Sequence, residues 1–296
     1  MDNGRPSRTA LTAAAARAAH LIVDSPPLLF ADTVAYDLLG EQAEEFVGYH
    51  RAHGEHPILR GVRATAAVRS RYTEDRLAEA VARGVTQYVI LGAGLDSYAY
   101  RSDPAGPVRV FEVDHPATQR WKRRLLNQAG IAIPGTVAFV PVDLETESLV
   151  DALVREGFDT SRPAFASWLG VTMYLTRDAI AETLTAVGGL AAGTEMVLDY
   201  TLAPELRDAA AQEYADAVAP MAAEQGEPWL SAFRPEEMSA LLEEHGFGLV
   251  QHTRHQDAVD AALWERTDSV RPSNLSALAH ATVLVAATPR SPQPSG

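Results

Sequence analysis

No cysteine occurs among the 296 residues, which excludes disulfides, thiolate metal sites and a cysteine nucleophile. No apolar run approaches the ~20 residues of a membrane span, so no membrane partner is expected. The Ala-rich opening, Leu11 to Ala19, carries Arg17 and leads into His20; it lacks the leucine-rich segment and cleavage site of a secretory leader and reads as a helix of the folded protein. These absences together fit a cytoplasmic protein. Positive charge is also scarce: 25 Lys and Arg stand against 39 Asp and Glu, a net charge of −14 with His neutral. Such a chain repels a nucleic-acid backbone unless its basic residues cluster. The densest basic run, Arg120 to Arg124 around Trp121, reads as the solvated face of a helix, so nucleic acid is not an expected partner. A Gly-x-Ser-x-Gly elbow and a P-loop are both missing, which removes the usual serine-hydrolase and nucleotide-triphosphatase signatures. His252 and His255 point to opposite sides of a strand, and His53 and His56 have no carboxylate partner at helical spacing, so no metal is expected.

What is present is an alternation of strand and helix signals, with 47% hydrophobic residues to fill a large core. A helix over Thr73 to Arg83, stopped by Gly84, precedes a buried strand over Gln87 to Leu91. Further strands fall at Val108 to Asp114, Val137 to Val142, Ala164 to about Met173, Glu195 to Tyr200, Leu249 to Thr253 and Thr282 to Ala286. Helices from Pro116 to Gly130, Thr176 to Gly188 and Pro235 to Gly246 separate them. The pattern predicts an α/β protein with a doubly wound, Rossmann-like sheet of seven strands. Residues 8–72 stand outside the rhythm as an N-terminal helical region. The main domain then covers 73–288, interrupted by a helical insertion at about 203–232, and a Pro- and Ser-rich tail, 289–296, is expected to be disordered. Ligands of such sheets bind beyond the carboxyl ends of the strands, so both extra segments are expected to form a lid there, with simple packing helices as the alternative.

Val89 to Ser97 is a strand entering a glycine turn, Gly92-Ala93-Gly94, followed by an expected helix. Nucleotide sites of several kinds use such a turn, and the residues after it discriminate. A dinucleotide fingerprint has Gly or Ala where Ser97 stands, and Asp96 would repel a pyrophosphate. An acid there suits a ligand bearing an ammonium and a sulfonium, which describes S-adenosylmethionine, although Asp96 could equally cap the following helix. Asp114, roughly 20 residues on at the end of the next strand, is placed to accept from ribose hydroxyls; Glu112 lies one pleat lower on the same face, and capping the helix at Pro116 is the competing role. Asp143 and Leu144 end the third strand, where a carboxylate can accept from an adenine amino group and a leucine can pack on the ring.

At this point the chain resembles the leucine carboxyl methyltransferase family, especially its bacterial small-molecule O-methyltransferase branch. The matching stretches are Arg69 to Tyr72, Val89 to Arg101, Val110 to Pro116, Val140 to Leu144 and Trp168 to Thr176, with Thr9 to His20 and Gly226 to Trp229 also similar. The resemblance implies that Gly92 approaches the methionine part of the cofactor, that Asp114 binds the ribose, and that Asp143 and Leu144 frame the adenine. Arg69 resembles the arginine that reaches the cofactor carboxylate, with Arg71 as its competitor. Protein-methylating members carry a glutamate about five residues before the tyrosine matched by Tyr174. Leu169 stands there, which weakens the case for a protein acceptor and leaves Trp168 and Leu169 to line the adenosyl site.

Methyl transfer needs alignment and exclusion of water more than acid–base chemistry. A carboxylate acceptor is already ionised, whereas a phenol or alcohol needs a base, for which His20 is the candidate. Tyr200 is a candidate for orienting the acceptor, and Arg17 or Arg71 for attracting an anionic one. The expected activity is methylation of a small-molecule oxygen, more readily a carboxylate, in a setting such as bacterial secondary metabolism. A homo-oligomer is compatible with the sequence. A non-catalytic S-adenosylmethionine-binding protein and a nicotinamide oxidoreductase are the alternatives.

Overall fold

The computed structural model describes residues 8–101, 108–144, 146–224, 226–268 and 270–284; the 289–296 tail lies outside them. Seven strands form one sheet: β1 (Gln87–Leu91), β2 (Arg109–Asp114), β3 (Val137–Pro141), β4 (Phe165–Trp168), β5 (Glu195–Thr201), β6 (Phe247–Arg254) and β7 (Ser276–Val283). Their order is β3-β2-β1-β4-β5-β7-β6. All neighbours are parallel except at β7, which runs antiparallel to β5 and β6. The chain winds outward from β1 to β3, then returns to β4 on the other side of β1. Such a reversal opens a crevice at the carboxyl ends of the two central strands. Leu91 is in register with Trp168, so Gly92 and Leu169 leave the sheet side by side at that crevice.

Both faces of the sheet are covered, which is why all five residues of β1 and all seven of β5 are buried. Side chains alternate between faces. Val89, Leu91, Phe111, Val113, Trp168, Leu198 and Tyr200 pack with α6 (Leu149–Arg155), α7 (Arg177–Gly188) and α9 (Pro235–Glu244). Tyr88, Ile90, Val110, Phe165 and Val197 pack with Leu77 and Ala80 of α4 (Pro57–Ala82) and Leu126 of α5 (Pro116–Gln128). A further layer of helices, α1 (Arg8–Val23), α2 (Ala35–Leu38) and α3 (Ala43–His53), joins at Leu95 and Leu125. The α1 alanines Ala14, Ala15, Ala16, Ala18 and Ala19 are all buried; they favour the helix and let neighbouring backbones approach closely. The insertion after β5 contains α8 (Ala209–Glu224).

Four expectations are corrected. The helix expected at Thr73 is the second half of the 26-residue α4, which starts at Pro57 behind the His56 side-chain cap and runs unbroken across positions 72 and 73. Packed against α1 on one side and the sheet on another, it buries residues around most of its circumference and shows no single apolar stripe. β4 ends at Trp168, because Gly170 takes φ +71° and Thr172–Tyr174 forms a 3-10 turn. β7 occupies 276–283 rather than 282–286, with Ala277, Ala279 and Ala281 among its buried residues; alanine is a weak strand signal. Positions 285 and 286 lie outside the described residues. Finally, the glycine turn leads to a three-residue 3-10 turn, Tyr98–Tyr100, and not to a helix, so no helix N-terminus is available to a pyrophosphate at this loop. In the basic run, Arg120, Arg123 and Arg124 are exposed as expected, while Lys122 is buried against Glu112 at 2.8 Å.

Candidate active site

The glycine loop is held at both ends. The Ala93 amide donates to the Val113 carbonyl at 3.0 Å, carrying the ladder between β1 and β2 one step past β1. Gly92 adopts φ +64°, and a Cβ on it would lie 2.6 Å from Val171 Cγ2; side chains avoid such a conformation, and the space is already filled. Gly92 is exposed between the buried Leu91 and Ala93, so bare backbone faces the crevice. Asp114 accepts from the Gly94 amide at 2.6 Å and from the His115 amide at 2.7 Å, through different oxygens. It therefore closes the loop and steadies the entry to α5, and with Thr118 also donating to it the carboxylate still has acceptor capacity to spare. Burial pushes its carboxyl above the ordinary carboxylate value, although the two amides oppose that shift. Asp96 accepts from the Tyr98 amide at 2.9 Å, a local cap of the 3-10 turn.

A buried ion pair fastens this loop to the N-terminal helices. Arg17 donates to Asp32 at 2.7 Å and to the Leu95 carbonyl at 2.7 Å, and Ser97 donates to the same Asp32 oxygen at 2.6 Å. The other Asp32 oxygen accepts the Val34 and Ala35 amides at the start of α2. Burial works against the Asp32 charge, yet Arg17 and Ser97 outweigh it and hold the carboxyl below its ordinary value. Arg17 is thus committed to the scaffold and does not attract an anion.

Arg69 and Arg71 have different surroundings. Arg71 pairs with Asp75, one turn along α4, with much of its side chain in solvent. Arg69 Nη1 donates to Asp199 at 3.0 Å. The other Asp199 oxygen accepts the Gly170 amide at 2.6 Å, and the Asp199 carbonyl accepts from Thr172 Oγ1 at 2.7 Å. A Cβ on Gly170 would lie 2.8 Å from Arg69 Nη2, so the glycine after β4 makes room for the guanidinium. Asp199 was not anticipated. Its signal is an acid inside the otherwise uncharged and fully buried stretch Met196 to Thr201, since a buried carboxylate calls for a partner.

Arg69 and Gly170 open onto a cavity of about 370 Å³. Ile58, Val62, Thr65, Ala66 and Arg69 form one wall, a stripe along α4. Thr9, Thr12 and Ala13 of α1 contribute another, and Tyr214, Val218 and Met221 of α8 a third. Ala10, beside Thr9, abuts the glycine loop, since a Cβ on Gly94 would lie 3.0 Å from its own Cβ. Tyr214 stacks on Trp229 at 6.2 Å and 23°, and Thr9 donates to Glu227, joining α1 to the segment after α8. Both segments outside the strand–helix rhythm therefore border the space beside the carboxyl ends of β1 and β4.

The remaining candidates fall elsewhere. His20 is buried with Nδ1 against Asp24 at 2.8 Å and Nε2 accepting the Leu29 amide at 3.0 Å. Both nitrogens are in use and His20 does not line the cavity. Tyr200 bonds His252 Nδ1 at 2.9 Å within the core, and Ser239 Oγ bonds His252 Nε2 at 2.7 Å. Trp168 is 1% exposed among the α7-side core residues, so it offers no free ring surface; Leu169 packs toward the opposite face. Glu112 is consumed by Lys122. Asp143 is half-buried at the end of β3, and Leu144 is 38% exposed, an apolar side chain presented to solvent where a ring would pack. Among the described residues no cluster of His, Asp or Glu could hold a metal ion, and no helix is long and apolar enough to cross a membrane.

The strand order, the bare glycine loop and the acid that ends β2 define the sheet of an S-adenosylmethionine-dependent methyltransferase. The chain belongs to the leucine carboxyl methyltransferase family, whose family model matches residues 10–188. A relative from Bacillus subtilis (strain 168), named "Putative S-adenosyl-L-methionine-dependent methyltransferase YktD", is 33% identical over 292 residues, covering 91% of this chain and 95% of its own. A crystal structure of a "putative methyltransferase from Thermobifida fusca YX" superposes with TM-score 0.59 at 20% identity, covering 96% of this chain and 97% of that one. A DUF574 family protein from Streptomyces avermitilis has the same TM-score at 19% identity, covering 91% and 97%. These two likenesses are of fold. The residues present fit the cofactor: a glycine cradle that a Cβ would fill, an acid at the β2 edge with acceptor capacity to spare, and an exposed leucine after β3.

Proposed function

We propose that the protein methylates a carboxylate oxygen of a small molecule held in the cavity beside Arg69. The observation that carries this reading is the composition of the lining. Burial and the Arg63 guanidinium hold His50 down to about 4. Burial raises Tyr174, and Tyr214 is pushed up to about 12. Glu227 accepts from Thr9. No histidine among the described lining residues is thus basic enough to take a proton from a phenol or alcohol at neutral pH, and a carboxylate, ionised above ~4, needs none. The volume suits a drug-sized molecule, for which pockets run from ~300 to ~1,000 Å³.

Bound S-adenosylmethionine supplies an electrophilic methyl group on a sulfonium whose charge also favours an anionic acceptor. Gly92 and Asp114 hold its methionine and ribose parts, Asp143 and Leu144 its adenine. Arg69, fixed by Asp199, faces its carboxylate. The helices over 8–72 and the insertion at about 203–232 act as a lid that aligns the acceptor and excludes water. The test is methyl-ester formation from a panel of apolar carboxylic acids against matched phenols. Turnover of acids, flat between about pH 6 and pH 8, is expected. Turnover confined to phenols and rising with pH would overturn the carboxylate assignment and leave the methyltransferase activity standing.

A further inference from the structure

His50 was not among the anticipated site residues, yet it is 5% exposed and lines the cavity. Its Nδ1 lies 3.2 Å from Arg63 Nη1. A guanidinium only donates, so Nδ1 must accept, and a neutral ring then carries its proton on Nε2. Arg63 is itself fixed. Its Nε and Nη2 grip Asp24 at 2.8 to 3.0 Å, and Nη2 also reaches the Gly54 carbonyl at 2.9 Å. Asp24 is held on its far side by His20, whose Nε2 is occupied by the Leu29 amide. A buried hydrogen-bonded chain thus runs from Leu29 through His20, Asp24 and Arg63 to His50 and fixes the tautomer of that last ring.

We infer that His50 is an acceptor-binding residue: its Nε2–H donates into the cavity to an oxygen in the body of the methyl acceptor, away from the oxygen that is methylated. Arg63 and Arg69 are six residues apart on α4, about 9 Å along the helix axis, and the cavity wall along that stretch of the helix is formed by Val62, Thr65 and Ala66, with Ile58 one turn further on. The ligand chemistry that matches is an elongated apolar acid, its carboxylate at the Arg69 end and a carbonyl or ether oxygen roughly two helical turns away. His50 acts here as a fixed donor and not as a base. The charged and titratable groups facing its ring are Arg63 and Asp24; burial first and then the guanidinium keep the ring neutral, against the opposing pull of the carboxylate. This assignment rests on the cavity's being the acceptor site.

Two probes of equal length separate the possibilities: monomethyl azelate, with an ester oxygen at the far end, and undecanoate, with none. Calorimetry on protein saturated with S-adenosylhomocysteine should show monomethyl azelate binding about tenfold more tightly, as one desolvated hydrogen bond provides. That preference should vanish in His50→Leu and persist in His50→Gln, which keeps an N–H donor, while S-adenosylhomocysteine affinity is unchanged in both. Nitrogen-15 spectra of histidine-labelled protein should show the His50 ring protonated on Nε2 and not titrating between about pH 5.5 and pH 8. An Nδ1–H tautomer, equal affinity for the two acids, binding of neither, or a preference that survives in His50→Leu would each overturn the assignment. Ester formation from both acids without any preference would overturn it while leaving the proposed methyl transfer intact; a preference without ester formation would do the reverse.

Discussion

The Arg69 guanidinium, on the long helix that bridges the N-terminal layer and the sheet, donates to the Asp199 carboxylate at 3.0 Å from the end of β5. The side chain of Asp199 is 1% exposed and that of Arg69 15%. The acid therefore holds the arginine at the cavity wall and, through the Gly170 amide, sets the turn after β4 that faces the glycine loop.

Removing the acid should damage binding and stability together. In Asp199→Ala the guanidinium and the Gly170 amide both lose their partner, and truncating one member of a buried pair typically costs ~3–5 kcal/mol. Arg69→Met removes the charge and keeps the stem, so its effect should fall on the cofactor. Calorimetry with S-adenosylhomocysteine should show at least a tenfold loss for Arg69→Met, and urea unfolding should show the larger stability loss for Asp199→Ala. Unchanged affinity in Arg69→Met would remove the arginine from the cofactor site.

The ribose assignment can be separated from the loop-closing role of Asp114. Asp114→Asn retains one oxygen acceptor for the Gly94 or His115 amide and forfeits the negative charge. Charge-assisted hydrogen bonds are worth ~1.5–3 kcal/mol each, so S-adenosylhomocysteine affinity should drop roughly ten- to hundredfold, and the amide left facing the Asn NH2 should lower the thermal midpoint as well. Normal binding by this variant would show that the acid serves only the loop.

The strands from Gln87 to Tyr200 were legible because parallel strands buried on both faces read as continuous apolar runs, and the glycine loop because its residues carry unusual backbone demands. Asp114 was legible from its distance to that loop. Arg69 could be separated from Arg71 only in three dimensions, by the acid across from it. His20, Arg17 and Tyr200 misled for a common reason: a polar residue in an apolar stretch announces a buried hydrogen bond but not whether its partner is a ligand or the scaffold. Their partners, Asp24, Asp32 and His252, lie 4, 15 and 52 residues away, and the sequence offers no sign of the more distant two. His50 stayed hidden because its proton placement depends on Arg63, a contact made only when α3 and α4 fold together.

Acidification should expose the cost of keeping His255 neutral. The ring is fully buried beside Asp199 and Arg69, and burial is the main reason its value lies near 4. The unfolded chain takes up a proton near pH ~6.5 and the folded protein does not until about pH 4, so this histidine costs stability as pH falls through that window. Between about pH 7 and pH 5 the effect is roughly 2 kcal/mol. Urea unfolding of the wild-type protein and His255→Gln at both values should show the wild type losing that much more stability on acidification. Parallel losses in the two proteins would mean that His255 is charged in the fold at pH 5.

The Tyr214–Trp229 stack tests whether the lid serves the acceptor or the cofactor. Tyr214 lies on α8, and Trp229 follows Glu227, which accepts from Thr9 of α1. Both rings line the cavity, which neither Gly92 nor Asp114 lines. Aromatic pairs add ~0.5–1.5 kcal/mol beyond the area they bury, enough to hold a short segment shut but not to fold the sheet. Trp229→Ala should therefore raise KM for the acceptor severalfold or more, with S-adenosylhomocysteine affinity within about twofold of wild type. Hydrogen exchange over residues 209–224 should slow when acceptor joins the cofactor-bound wild-type protein, and this slowing should be lost in the variant. If Trp229→Ala instead weakened the cofactor and left acceptor KM unchanged, the insertion would be a wall of the cofactor site, and the acceptor would have to enter from elsewhere.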